Sequence, residues 1–200
     1  MTSCTDERTK YIYIVTSYTN TFIGKLILLR ARMRFWNRYE GDSYSHVSLS
    51  LEPDLRNMMS FARKRMNNPL ISGLIRENIR AGMFTLYPER SRIAVMQIAV
   101  TPRQYSRLSE HMNSYWLNAH NLKYNYPGLI SMLFLGRGVH AENSFFCSQW
   151  VAEVLKKSDL DLFEGQPSCN IRPFDFYRTL SHCLIFEGKT ADYAHGQADK

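Results

Sequence analysis

Cys147 stands at the centre of the segment Asn143-Ser144-Phe145-Phe146-Cys147-Ser148-Gln149-Trp150-Val151-Ala152-Glu153-Val154-Leu155, where a polar, aromatic approach leads straight into an amphipathic pattern. Val151, Val154 and Leu155 share one helical face with Trp150 beside them, and Glu153, Lys156 and Lys157 share the other. The cysteine therefore falls at or just inside a helix N-terminus, where unpaired N–H groups and the positive end of the dipole favour a thiolate. That placement suits a nucleophile; a free cysteine is also among the residues most often buried as a small hydrophobe. A thiol nucleophile needs an imidazole as base and later acid, and a third group to orient the ring. Six histidines are available. His111 and His120 fall in one helical pattern, and His182 and His195 lie near the C-terminal end. His46 lies on a strand pattern and His140 in a loop just before the cysteine; the residue types alone leave both open.

The elements that would position these groups follow from the pattern. Tyr11 to Thr16 reads as a first strand, rich in β-branched and aromatic residues. Thr21 to Trp36 suggests a basic amphipathic helix, either a core helix with a solvated basic face or a helix lying on an anionic membrane. Tyr44 to Leu51 alternates, with Val47, Leu49 and Leu51 on one face and His46, Ser48 and Ser50 on a face expected to be solvated. Asn57 to Ala62 is its hairpin partner and would bring Ser60 near His46. The stretch from Arg63 to about Gly82, with Pro69 and Gly73, reads as a loop or flap over a site. Arg92 to Val100 is a strand, and Thr101-Pro102 caps a helix running to about His120. Tyr124 to Gly128 is turn-rich, and Leu129 to Leu135 is a short apolar helix or buried segment. Ile171 to Tyr177 starts a further short helix. The termini, about 1–10 and 188–200, are expected to fray.

With 200 residues, 44% apolar and 13% aromatic, the chain can fill one substantial core and is expected to form one domain. Its 25 basic against 18 acidic residues give a net charge of +7, compatible with an anionic partner. No basic run interleaved with aromatics resembles a nucleic-acid module, so no specific nucleic-acid partner is expected. The start of the chain lacks the order of a signal peptide, and no apolar run would span a bilayer; a cytoplasmic protein with reduced thiols is expected. Cys4, Cys147, Cys169 and Cys183 show no close C-x-x-C spacing, so neither a metal site nor another cofactor is expected.

The pair Tyr44-Ser45-His46-Val47-Ser48-Leu49 and Phe146-Cys147-Ser148-Gln149-Trp150-Val151-Ala152-Glu153 resembles the two signatures of the circularly permuted NlpC-type papain-like superfamily. In that group, which includes lecithin retinol acyltransferase and uncharacterised bacterial and viral members, the histidine strand precedes the cysteine helix. Met59 to Lys64 and Ile171 to Phe176 are also similar to segments of bacterial members. The resemblance runs roughly from Tyr11 to Leu180. It implies an α+β, permuted papain-like fold, with an antiparallel sheet or partial barrel packed against helices. It implies Cys147 as nucleophile, His46 as base, and a polar residue on the following strand as orienter, which points to Ser60, with Glu52 as the fallback. By position it makes Tyr18, Thr19 and Ser148 candidates for the oxyanion site or cleft.

The function so implied is a thiol-dependent hydrolase or acyltransferase acting on an amide or ester of a peptide or lipid. The alternative is a binding or regulatory module that keeps the cleft without turnover, working at an anionic membrane surface. The basic segment from Lys25 to Arg38 and the cluster Arg63-Lys64-Arg65 would supply that surface.

Overall fold

The computed structural model describes residues 9–18, 44–65, 68–86 and 91–196; Cys4, Thr19 and the basic segment 21–38 lie outside them. A six-stranded antiparallel sheet organises the chain, in the order β4-β3-β2-β1-β5-β8. Its strands are β1 (Lys10–Tyr18), β2 (His46–Ser50), β3 (Met58–Arg65), β4 (Asn68–Glu77), β5 (Arg92–Val100) and β8 (Leu184–Lys189), with a separate two-stranded parallel pair formed by β6 (Lys123–Tyr124) and β7 (Ser144–Phe145). The helices are α1 (Met83–Leu86), α2 (Pro102–Leu117), α3 (Tyr126–Leu135), α4 (Cys147–Lys157), α5 (Pro173–Thr179) and α6 (Thr190–Gly196). The class is α+β, as expected from the sequence, and the sheet is open: β4 and β8 are its edges.

Both faces of this sheet are covered. One carries Ile12, Ile14, Val47, Leu49, Phe61 and Met96 against Trp150, Val151, Val154 and Leu155 of α4 and Leu108 and Met112 of α2. The other carries Tyr13, Val15, Met58, Ile93 and Val95 against Ile79, Phe84 and Tyr193. Each large aliphatic side chain so removed from water contributes about 1.5–3 kcal/mol. Double coverage explains why the polar face expected to meet solvent does not: His46, Ser48 and Ser50 are all buried and must find partners inside the protein.

Two expectations are corrected. The stretch from Arg63 to Gly82 is not a loop, because β3 continues to Arg65 and β4 occupies Asn68–Glu77. Pro69 and Gly73 obscured the strand, yet β4 is an edge strand, where a missing ladder donor is tolerated. Nor does the chain fray from Gly188. Gly188 and Lys189 pair with Ile93 and Arg92, and α6 is tied down by Tyr193, buried and donating to the Pro53 carbonyl at 2.7 Å. Among the described residues no helix is long and apolar enough to cross a membrane.

Candidate active site

Three elements deliver three side chains to one place. α4 packs on β2 and begins at Cys147, with Phe146 as N-cap and no side chain capping the first turn. The backbone N–H groups that open this helix are therefore not consumed by a capping side chain. β2 begins at His46, whose strand position is set by pairing with Ser17 of β1. Just before it, the Tyr44 hydroxyl donates to Glu187 at 2.6 Å, and Tyr177 donates to the other oxygen of that carboxylate at 3.1 Å. This clamp fixes the start of β2 to β8 and α5. β4 ends at Glu77, which is 7% exposed.

The Glu77 carboxylate grips the imidazole. His46 Nε2 lies 3.0 Å and 3.1 Å from the two carboxylate oxygens. Ser48 Oγ donates to Glu77 Oε2 at 2.5 Å and sits 3.3 Å from the same ring nitrogen. Nε2 is thus committed to the Glu77 carboxylate. Cys147 is close enough to act on the imidazole both as a hydrogen-bond partner and through charge. Burial works against the imidazolium, but the Glu77 carboxylate and Cys147 outweigh it and raise the His46 pKa to about 10. Burial pushes Glu77 the other way, and the imidazolium and the two hydrogen bonds from His46 and Ser48 overcome it, holding the carboxyl below its ordinary value.

Of the residues singled out in the sequence, Cys147 and His46 are brought together. Ser60 is not the orienting group. It is fully buried on β3 and donates to the Val47 carbonyl at 2.6 Å; Glu77, one strand further along the sheet, takes the place beside the ring. Glu52 lies in the turn after β2, where its backbone carbonyl accepts from Ser50 at 2.8 Å. The Ser148 hydroxyl turns away to the Ile171 carbonyl at 2.6 Å, so only its backbone could serve an oxyanion. Tyr18 ends β1 opposite Arg92, half-buried. The other oxyanion candidate, Thr19, is one of the residues outside those described.

Two further residues were read from the sequence only as part of a turn. Tyr124 stands near enough to Cys147 to be affected by its charge; burial first, then Cys147 and Tyr126, raise its pKa well above the ordinary phenol value, with Arg63 opposing. Its ring lies 4.6 Å from that of Tyr126. Asn125 caps α3 by accepting from Gly128 N–H at 2.8 Å and donates to Val139 O at 2.8 Å and Gln149 Oε1 at 3.1 Å. It thereby ties α3, the loop before Cys147 and the first turn of α4 into one unit. No family model, curated protein or solved structure matches the chain.

Proposed function

We propose that the protein is a thiol-dependent hydrolase or acyltransferase acting on an amide or ester, of the permuted papain-like kind suggested by the order of its His46 strand and Cys147 helix. The observation that supports it is the convergence of Cys147, His46 and Glu77, three buried groups from three elements that a merely structural thiol would not need. In this reading Cys147, its proton already held by the His46 imidazolium, attacks the acyl carbonyl as the thiolate. A C–S bond forms while the carbonyl π electrons move to oxygen, and N–H groups at the start of α4 stabilise that oxyanion, typically by about 3 kcal/mol per donor. The tetrahedral species collapses to a thioester, and the leaving amine or alkoxide takes a proton from His46. Water or an acceptor alcohol or amine, deprotonated by His46, then attacks the thioester, the C–S bond breaks, and the Cys147 thiolate and His46 imidazolium are restored. Glu77 is a positioning residue: it orients the ring and keeps the imidazolium.

A reducing compartment, the cytoplasm, fits a working thiol, and Cys147, Cys169 and Cys183 are free. Cys147→Ala is expected to abolish turnover, and an acyl or amide probe with a thiol-reactive group should label Cys147 selectively. Labelling that survived His46→Ala unchanged at neutral pH would contradict the reading and favour a cleft that binds without turnover.

A further inference from the structure

We infer that the outer face of α3, with the arginines beside its C-terminal end, is a docking surface for a bilayer carrying anionic lipid. The ten residues of α3, Tyr126 to Leu135, include no charge. Leu129 and Met132, on the side of α3 turned to the protein, pack on Phe146 and Tyr124. The opposite side presents Ile130 (53% exposed) and Leu135 (75% exposed), with Phe134 at 52% between them. Ile130 and Phe134 are one turn apart, and Leu135 extends the same arc. Val139, in the loop that folds back on Asn125, is 52% exposed as well. Scattered exposed apolar residues are ordinary; a contiguous apolar helical face marks an interaction surface.

Charge complementarity selects the occupant. A groove lined by Met132 and Gly136 at the end of α3 also holds Arg137, Arg172 and Arg178, together with Glu164 and Asp175. Arg172 pairs with Asp175 through two nitrogens, at 3.1 Å and 2.9 Å. Arg178 reaches that carboxylate only at 3.8 Å and remains 69% exposed, and Arg137 is exposed. An apolar ridge with basic side chains at its margin is the pattern by which interfacial helices seat on anionic membranes, the apolar residues entering the acyl boundary and the arginines meeting lipid phosphates. These residues are distinct from the basic clusters that the sequence alone suggested for such a role.

The surface is joined to the candidate site. Phe146, on which the inner face of α3 packs, is the N-cap of α4 and immediately precedes Cys147. A bilayer seated on α3 would hold acyl lipids near the thiol, so the substrate class would be lipid esters or amides; that second clause rests on the reading of Cys147 as a nucleophile, whereas docking does not.

The test is co-sedimentation of the full chain with vesicles of phosphatidylcholine alone and of equimolar phosphatidylcholine and phosphatidylserine. Binding is expected to the mixed vesicles only, to weaken with salt, and to be retained by Cys147→Ala, which separates docking from chemistry. Leu135→Glu should abolish it. Arg137→Gln with Arg178→Gln should weaken it about thirtyfold, from roughly fivefold per arginine near an anionic surface. Both positions are exposed, so folding is expected to be unaffected, and circular dichroism checks this. Leu135→Trp should add a blue-shifted emission on mixed vesicles. Wild type that ignores mixed vesicles, or Leu135→Glu that binds as well as wild type, would overturn the proposal. So would self-association in sedimentation velocity that Leu135→Glu abolishes while vesicles are ignored, which would assign the face to a second copy of the chain.

Discussion

The imidazole of His46 carries the most information at the scale of single residues, because its partners set its charge. Glu77 and Cys147 together raise its pKa to about 10 against the opposing effect of burial, so at neutral pH the ring rests as imidazolium. In Glu77→Gln the carboxylate is gone while burial remains. Titration followed by NMR of the ring nitrogens should move from about 10 down past neutrality, and the pH profile of Cys147 alkylation should move with it. A structural role for Glu77 alone would change stability and leave that profile in place. Stability follows the same groups. A raised histidine pKa contributes fully below its unfolded value of 6.5 and loses that contribution as pH climbs to about 10. A lowered carboxyl pKa contributes above its unfolded value of 4.5 and loses it as pH falls. Thermal melts should therefore peak between 4.5 and 6.5 and decline toward pH 10. Glu77→Ala, which removes one partner of the buried His46–Glu77 pair and leaves the ring to shed its proton, should lose about 3–5 kcal/mol at neutral pH.

At the scale of elements, the start of α4 is held in place from outside the helix, since no side chain caps it. Asn125 does much of this, and Gly128 makes room for it: a Cβ at Gly128 would overlap the Asn125 amide and lie 2.5 Å from the Val139 carbonyl. Gly128→Ala is expected to displace the Asn125 side chain and lower stability by about 1–3 kcal/mol. Its alkylation rate at Cys147 should fall as the loop before the helix loosens. Thermal denaturation and the labelling rate check the two halves. The same scale shows what could be read from the sequence. Arg92–Val100 and the capped helix after Thr101 were legible because their local signals agree: β-branched alternation in one, a capping box with Gln104 in the other. Cys147 was legible as a candidate because it opens a run whose period matches its helix, whereas His46 stayed level with His140 on residue types and was singled out only by the family resemblance. Glu77 was not, because its strand contains Pro69 and Gly73 and is recognisable as a strand only once its edge position is known. A residue 31 positions from His46 becomes its partner through sheet order, which no local window contains.

At the scale of the whole molecule, helices on both sides turn a sheet that would otherwise have one wet face into one with polar groups sealed inside. Ser48 and His46 are resolved by Glu77, and Ser60 by the Val47 carbonyl, so a polar alternation read as a solvated face becomes a buried hydrogen-bonded network. The same burial separates the two explanations for Cys147. Cys147 is 6% exposed, whereas Cys183 is only partly buried. If reactivity followed access alone, Cys183 would react first. The most direct test is competition within one molecule: limiting iodoacetamide at neutral pH, followed by peptide mass spectrometry of both cysteines. Faster modification of Cys147 than of Cys183 is expected, with Cys147→Ala leaving the slow reaction at Cys183 unchanged. His46→Ala should slow Cys147 by about a hundredfold or more without changing Cys183. Modification of Cys183 ahead of Cys147, with Cys147 indifferent to His46→Ala, would contradict a thiol–imidazole site.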